Sequence, residues 1–138
     1  MASIRLDIVT PERMVYTEDV NMVIARATDG DLGVLAGHAP LIAGLDVWPV
    51  RILREGEEEA MVSVCGGFIE VRPNKVTILA GSAELPEEID PDRAASALER
   101  AEARLKAPGE DTDVLRAEAA LKRALLRLKV ADNVKKHT

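Results

Sequence analysis

Apolar and polar residues alternate along the first part of the chain, a pattern typical of half-buried β-strands. Ile4, Leu6 and Ile8 alternate with polar neighbours and predict one such strand. The run Val20–Ala27 is more continuously apolar and predicts a second, more buried strand. Asp29-Gly30-Asp31 predicts a tight turn after it, because Gly tolerates a positive φ and Asp side chains cap turn backbone.

Two β-hairpins are predicted further along. The first pairs Val50–Arg54 with Ala60–Val64 across an acidic tip. The second pairs Phe68–Val71 with Val76–Leu79 across a turn that contains Pro73 and Asn74. Closely spaced strands without intervening helices predict an antiparallel sandwich or barrel.

From Ile89 onward the pattern becomes helical. Asp90 is a predicted N-cap, Pro91 fits the first helical position, and Asp92 suits the positive end of the helix dipole. An apolar stripe follows at helical spacing, made of Ala94, Ala97, Leu98, Ala101 and Leu105. The sequence predicts a first amphipathic helix here.

A second helix is predicted after the break at Lys106–Thr112, with Thr112 or Asp113 as its cap. Its apolar stripe consists of Val114, Ala117, Leu121, Ala124, Leu125, Leu128 and Ala131. Two helices joined by a short link predict an antiparallel hairpin. The predicted fold is therefore α+β, mainly β and then α: a β-sandwich over residues 1–86 and a helical hairpin over 87–138.

Composition and charge divide the chain at the same place. Through Glu88 there are 15 acidic and 7 basic residues, and from Ile89 there are 9 acidic and 11 basic. The 138 residues carry a net charge of −6, and aromatic residues make up 2%. An acidic chain so poor in aromatic rings is not expected to bind nucleic acid. The lone Cys65 excludes an internal disulfide and leaves a Cys-based zinc site without ligands.

Arginines form a stripe on each predicted helix. The first stripe is Arg93, Arg100 and Arg104, and the second repeats the same spacing with Arg116, Arg123 and Arg127. Guanidinium groups bind phosphate or carboxylate through paired hydrogen bonds. A phosphorylated small molecule, an acidic segment of a partner, and a merely solvated charged face all remain open. Because alanine supplies much of the first helix's apolar stripe, the docking energy of the hairpin is expected to be modest and the segment mobile.

Few residues suggest catalysis. The chain has no G-x-x-x-x-G-K-[ST] phosphate loop, and no metal site is expected. His38 lies in the loop Ala36–Pro40, where a structural role is favoured over a general base or ligand. Cys65, beside Gly66, is expected to be a small buried residue rather than a nucleophile. We therefore expect a chain that is not an enzyme.

Two motifs resemble those of one known family. The segment Gly30–Leu41, GDLGVLAGHAPL, resembles the G-x-L-G-[IV]-x-x-G-H-x-P-L motif of F-type ATP synthase epsilon subunits. Gly66–Val71 followed by Val76–Ala80 resembles the family's second signature. The resemblance runs from about Ile4 to Val130 and implies a β-sandwich followed by two helices. It also implies a central-stalk rotor protein, which couples proton flow to rotation and leaves ATP chemistry to the catalytic subunits.

The resemblance further implies partners. The sandwich would bind the gamma subunit and the c-ring, and the turn Asp29, Gly30 and Asp31 matches the loop that faces the c-ring, unless it merely connects two strands. The hairpin would inhibit ATP hydrolysis by extending into the alpha/beta head. Its contacts with the acidic segment of the beta subunit would come from Arg116, Lys122, Arg123 and Arg127.

Ile89-Asp90-x-x-Arg93-Ala94 resembles the nucleotide-binding motif of bacillus-type epsilon subunits. Glu84, Arg100, Arg123 and Arg127 match further ATP contacts of that group. The resemblance implies ATP as a regulatory ligand that this chain does not hydrolyse, and no other cofactor. Pure capping by Asp90, with the arginines contacting the beta subunit, is the alternative.

The resemblance also implies a location at the cytoplasmic face of the bacterial plasma membrane. No apolar run approaches a membrane span, so association with the membrane is expected only through the complex. The competing interpretation is a free-standing β-sandwich binding module with a helical interaction tail.

Overall fold

The computed structural model describes residues 2–137, and side-chain surroundings over 2–133. Met1 and Thr138, the outer limits of the two predicted domains, lie outside the described residues. The chain divides into two compact units, Met1–Leu85 and Pro86–Thr138. The first is an all-β unit and the second is helical.

Within the described residues, eight strands form the first unit. They are β1 Ile4–Val9, β2 Met14–Val20, β3 Met22–Ala27, β4 Gly30–Leu35, β5 Leu41–Leu53, β6 Ala60–Arg72, β7 Lys75–Ala80 and β8 Ala83–Glu84. The hydrogen-bonded order is β2-β1-β7-β6-β5-β3-β4, with β8 beside β6. Strand pairs are antiparallel except β1 with β7, which in the described part of the chain is a parallel pair.

The core of this unit comes from the alternation seen in the sequence. Ile4, Leu6 and Ile8 are at most 1% exposed and join Ile69 and Ile78 in one apolar cluster. This confirms the predicted face of β1. Because alternate residues of a strand point to opposite faces, each core position fixes an outward-facing neighbour.

The run Val20–Ala27 is not one strand. Val20 ends β2 opposite Ile4, and β3 starts at Met22 opposite Leu53. Asn21 lies between them, and its N–H donates to the Leu53 carbonyl at 2.9 Å. Both strands contain buried residues. The sequence therefore shows one continuous apolar run, although the chain changes its pairing partner at Asn21.

Strands β5 and β6 are longer than predicted. Leu41–Leu53 and Ala60–Arg72 pair over most of their lengths, so that β6 supplies one strand to each predicted hairpin. Gly66 and Gly67 adopt φ of +69° and +112° within β6. Gly67 pairs with Leu45 of β5 and with Ala80 of β7, so the strand continues through these positive φ values.

The second unit begins with a 3₁₀ turn at Pro86–Glu88, followed by α1 Pro91–Lys106 and α2 Val114–His137. Asp90 Oδ1 accepts hydrogen bonds from the N–H groups of Asp92 at 3.0 Å and Arg93 at 3.2 Å. Asp113 Oδ1 accepts from the N–H of Arg116 at 3.0 Å. The predicted cap at Asp90 is confirmed, and Asp113 is the cap of α2 while Thr112 accepts from Gly109.

The helices pack through small residues. Ala94 and Ala101 of α1 and Ala117 and Ala124 of α2 are at most 3% exposed. Two predicted members of the α2 stripe lie outside it: Val114 is 43% exposed and Leu125 is 50% exposed. A second side of α2 is buried instead, with Leu126 at 2% and Val130 at 0% exposure. Periodicity alone selected one apolar face, whereas α2 buries two.

Candidate functional site

Four of the six stripe arginines lie next to a buried alanine of the same helix. Arg93 and Arg100 directly precede the buried Ala94 and Ala101, and in α2 Arg116 and Arg123 directly precede Ala117 and Ala124. One residue corresponds to about 100° of rotation. Each arginine stripe therefore lies about 100° from the packed face of its own helix, in the same rotational sense.

This relation brings the two stripes together on one side of the hairpin. Two packed antiparallel helices run in opposite directions, so an equal rotation away from the contact leads to the same side of the pair. Arg93 at the start of α1 then corresponds to Arg127 in the C-terminal half of α2, and Arg104 corresponds to Arg116. Lys122 is about 100° from Arg123 and faces another direction.

Five of the six stripe arginines have no neutralising partner among the described side chains. Among the described side chains, no carboxylate ion-pairs with Arg93, Arg100, Arg104, Arg116 or Arg123. All five are exposed, and Arg127 is half-buried with an interaction of its own. The β-unit behaves differently: Arg26 pairs with Asp31 at 3.1 Å, Arg54 with Glu18 at 3.2 Å and Arg72 with Glu70 at 3.0 Å. The hairpin therefore presents cationic charge that the described part of the chain does not compensate.

Asp90 and its neighbours lie at one end of this surface. Ile89 is 8% exposed, whereas Asp90 and Arg93 are exposed. The cap occupies Oδ1 of Asp90, and no described group bonds to Oδ2. Seven of the eight residues predicted to contact ATP belong to the helical unit. Glu84 belongs to the β-unit, where it is half-buried in β8 opposite Ser63.

The predicted turn at Asp29-Gly30-Asp31 is displaced by one residue. Ala27 pairs with Gly30 and Arg26 pairs with Asp31, so the loop is Thr28-Asp29 while Gly30 and Asp31 start β4. Gly30 has a φ of +133°, which supplies the positive value expected of a glycine here. All three predicted residues are exposed, and the Asp31 carboxylate accepts a hydrogen bond from Arg26 Nε at 3.1 Å.

The structure reveals an exposed apolar patch that the sequence reasoning missed. Phe68 of β6 is 60% exposed and lies opposite Leu79 of β7, which is 55% exposed. Ile42 of β5, 71% exposed, lies diagonally from Phe68 on the same face. We name these three residues the outer patch. The alternation in the sequence could have indicated this patch, because each of the three residues is next to a residue that packs in the core.

Charged residues border the outer patch. Asp7, opposite Thr77, accepts a hydrogen bond from Thr17 at 2.6 Å and pairs with Lys75 at 3.2 Å. The Thr17 hydrogen bond, assisted by Lys75, lowers the pKa of Asp7 below its ordinary value. Apolar residues within a charged border are typical of a docking surface.

The remaining polar candidates from the sequence are His38 and Cys65. His38 Nδ1 lies 2.7 Å from the Ala39 carbonyl oxygen, and the backbone N–H of His38 donates to the Leu35 carbonyl at 3.2 Å. Cys65 is a half-buried free thiol within β6. Over the described residues, no group of three His, Cys, Asp or Glu side chains is arranged to hold a metal ion.

Neither α1 nor α2, as far as they are described, combines the length and apolar character needed to cross a bilayer.

Comparison with known families accounts for nearly the whole chain. The family model of the β-sandwich domain of the ATP synthase delta/epsilon chain matches residues 3–86. The model of the long α-helix domain of the same chain matches residues 87–132. The two matches meet at the junction between the β-unit and the helical unit.

The curated relatives of this chain are ATP synthase epsilon chains, in agreement with the family models. The ATP synthase epsilon chain of Alkalihalophilus pseudofirmus is 54% identical over 111 residues, covering 80% of this chain and 83% of the relative. The one from Bacillus subtilis is 52% identical over 114 residues, covering 83% and 86%. The one from Bacillus velezensis is 50% identical over 133 residues, covering 96% and 100%.

Solved structures show the same architecture. A chain of the Euglena gracilis mitochondrial ATP synthase, in its OSCP/F1/c-ring assembly, matches with a TM-score of 0.79 and 30% identity, covering 95% of this chain and 82% of that one. A chain of the Tetrahymena thermophila central stalk and c-ring matches with a TM-score of 0.58 and 15% identity, covering 96% of each. The second likeness is one of fold alone. With both domains matched in order, and with relatives about half identical, this chain belongs to the epsilon-chain family of ATP synthase.

Proposed function

We propose that this chain is a non-catalytic central-stalk subunit whose β-unit attaches it to the rotor and whose helical hairpin binds ATP and restrains ATP hydrolysis. The observation that carries the regulatory part is the pair of arginine stripes on one side of the hairpin, in which the five exposed arginines have no carboxylate partner among the described side chains. Such a surface suits a polyanion that touches both helices. ATP is then a ligand of this chain, and its hydrolysis belongs to other subunits.

The position of Arg93 supports an anionic ligand. It lies in the first turn of α1, where the positive end of the helix dipole disfavours a cation. The hydrogen bonds of the Asp90 cap partly offset this cost. A phosphate bound beside Arg93 would be stabilised by both the guanidinium and the helix terminus. Arg100, Arg123 and Arg127 would hold the remaining phosphate oxygens, and Asp90 would accept a hydrogen bond from the nucleoside.

Because the interface between α1 and α2 is built largely from alanine, ligand binding can shift the hairpin between its packed and extended forms. Each buried alanine removes little apolar area from water, so the packed hairpin gains modest energy from α1. A ligand that binds only the packed form stabilises it by RT ln(1 + [L]/Kd), about 2.7 kcal/mol at a hundredfold excess over Kd. ATP would therefore favour the packed, permissive hairpin, and its loss would favour an extended, inhibitory form.

The decisive experiment is thermal unfolding of the whole chain with and without millimolar ATP. We expect ATP to raise the melting temperature of the native chain, and we expect Arg93→Ala and Arg123→Ala to abolish most of that shift. Arg72→Ala is the matched control, because Arg72 is an exposed arginine of the β-unit. An unchanged melting temperature of the native chain in millimolar ATP would contradict the proposal that this chain binds ATP.

A second experiment separates ATP sensing from inhibition. The synthase complex is assembled with the native chain, with Arg123→Ala, or with a chain truncated after Ile89, and its ATP hydrolysis is measured. We expect truncation to raise hydrolysis while assembly is preserved. If truncation raises hydrolysis but ATP never shifts the melting temperature, the arginines act on the beta subunit alone, as the alternative interpretation holds.

The β-unit carries the attachment surfaces. The outer patch of Ile42, Phe68 and Leu79 supports a contact with the gamma subunit, because exposed aromatic and aliphatic residues inside a charged border favour stable docking. The exposed turn with Asp29, Gly30 and Asp31 suits a polar contact with the c-ring. Attachment through these surfaces would hold the chain at the cytoplasmic face of the bacterial plasma membrane as a peripheral component.

A further inference from the structure

Arg26 is held between an aromatic ring and a carboxylate. Its guanidinium carbon lies 3.7 Å from the centroid of the Trp48 ring, and its Nε donates to Asp31 Oδ1 at 3.1 Å. Arg26 and Asp31 are cross-strand partners next to the Thr28-Asp29 loop. The three side chains thus join the loop-bearing hairpin β3–β4 to the neighbouring strand β5.

An irregularity of β5 produces this arrangement. Ile24 pairs with Arg51 and Ala27 pairs with Leu45. Between these two pairs β5 advances by six residues while β3 advances by three, so β5 has three extra residues there. Extra residues of this kind redirect side chains away from their regular alternation. Trp48 lies within the irregular segment, half-buried, and its ring is directed to Arg26.

The loop has one further attachment. The Thr28 N–H donates to the Gly44 carbonyl at 3.0 Å, at the other side of the irregular segment. The backbone of the loop is therefore held at Thr28, and the Asp31 carboxylate beside the loop is held by Arg26. Asp31 keeps 61% of its side chain exposed while paired, so its carboxylate is oriented without being covered.

We propose that Arg26 and Trp48 are positioning residues for the acidic β3–β4 turn, with Trp48 holding Arg26 and Arg26 holding Asp31 in the orientation that docks onto a polar or cationic loop. The inference rests on the proposed contact of this turn with the c-ring. It adds two residues that do not themselves touch the partner. A pre-ordered carboxylate loses less conformational entropy on docking than a free one.

The first experiment uses the chain alone and measures amide hydrogen exchange at Thr28, Asp29 and Gly30. A cation–π contact at an exposed site corresponds to about a two- to fivefold change in a local equilibrium. We expect Trp48→Leu and Arg26→Leu to accelerate exchange at this loop by that factor, and Trp48→Phe to have a smaller effect because it retains a ring. Exchange in β7, at Ile78, should not change, which distinguishes local positioning from general destabilisation. Arg72→Leu is the control.

The second experiment measures binding of the same full-length variants to purified c-ring in detergent. We expect Trp48→Leu and Arg26→Leu to weaken binding about two- to fivefold, and Asp31→Asn to weaken it at least as much. Unchanged loop exchange in both leucine variants would overturn the positioning role. Accelerated exchange together with unchanged binding in all three variants would instead contradict the c-ring contact, and the positioning of the turn would stand without that partner.

Discussion

The carboxylate of Asp90 and the backbone of Arg93 are joined directly: Asp90 Oδ1 accepts the Arg93 N–H at 3.2 Å. The capping residue and the first arginine of the α1 stripe are thereby held within one turn of helix. Asp90 is in extended backbone, with φ −91° and ψ 107°, as expected of a residue before proline. The same carboxylate can start the helix and lie beside a ligand bound at Arg93.

Substitution at Asp90 can separate these two roles. Asn is as good an N-cap as Asp, whereas Ala is not. We expect Asp90→Ala to lower the stability of the helical unit by about 0.5–2 kcal/mol, and Asp90→Asn to leave it nearly unchanged. If Asp90 also accepts a hydrogen bond from the nucleoside, both variants should reduce the ATP-dependent melting shift. Circular dichroism melts with and without ATP give both quantities, and a full ATP shift in Asp90→Asn would assign Asp90 to capping alone.

The outer patch should be energetically important in assembly and unimportant for folding. Phe68 is 60% exposed, so Phe68→Ser removes little buried area within the chain. We expect it to weaken binding to the gamma subunit by about 2 kcal/mol or more, roughly a 30-fold loss of affinity, with an unchanged melting temperature. Titration calorimetry with purified gamma measures the effect. Leu115→Ser, at a 79% exposed position of α2, is the control, and equal losses in both variants would contradict a specific patch.

Asp7 should make stability depend on pH. Its folded-state pKa is lowered, first by the Thr17 hydrogen bond and then by Lys75, so the ionised form favours the native state. This stabilisation is present above the ordinary aspartate pKa of 3.8 and is lost as the pH falls through the lowered folded-state value. We expect Thr17→Val to reduce the free energy of unfolding at neutral pH, and the difference from the native chain to shrink on acidification below pH 3.8. Urea unfolding across this range measures it, and a constant difference would exclude the linkage.

Gly67 is expected to tolerate no side chain. A Cβ at this position would lie 2.1 Å from the carbonyl oxygen of Leu79, and the residue has a φ of +112°. We expect Gly67→Ala to destabilise the β-unit by at least about 1–3 kcal/mol, the range for strained backbone. Gly44→Ala in the adjacent strand is the control, because its Cβ would make an ordinary 3.6 Å contact with Thr28. Equal melting temperatures for the two variants would contradict the predicted steric clash at Gly67.

Part of the candidate site could be predicted locally. The arginine spacing, the Asp90 cap and the alternation around Phe68 are all properties of neighbouring residues. The absence of ion pairs at the five exposed stripe arginines, within the described residues, could not be predicted, since a carboxylate distant in sequence can approach any exposed side chain. The contact of Arg26 with Trp48 was equally inaccessible, because it depends on three extra residues in β5.

Local sequence is enough to predict the strand faces of the β-unit, the Asp90 cap of α1 and the order of sheet and hairpin, because strand and helix periods and caps depend on residues close together in the chain. Three features follow instead from long-range packing: β1 and β7 pair in parallel, β5 and β6 extend to 13 residues each, and α2 buries Leu126 rather than Leu125. Each of these depends on which distant segment lies alongside. Local pattern limits the surfaces a segment can bury, and packing selects among them.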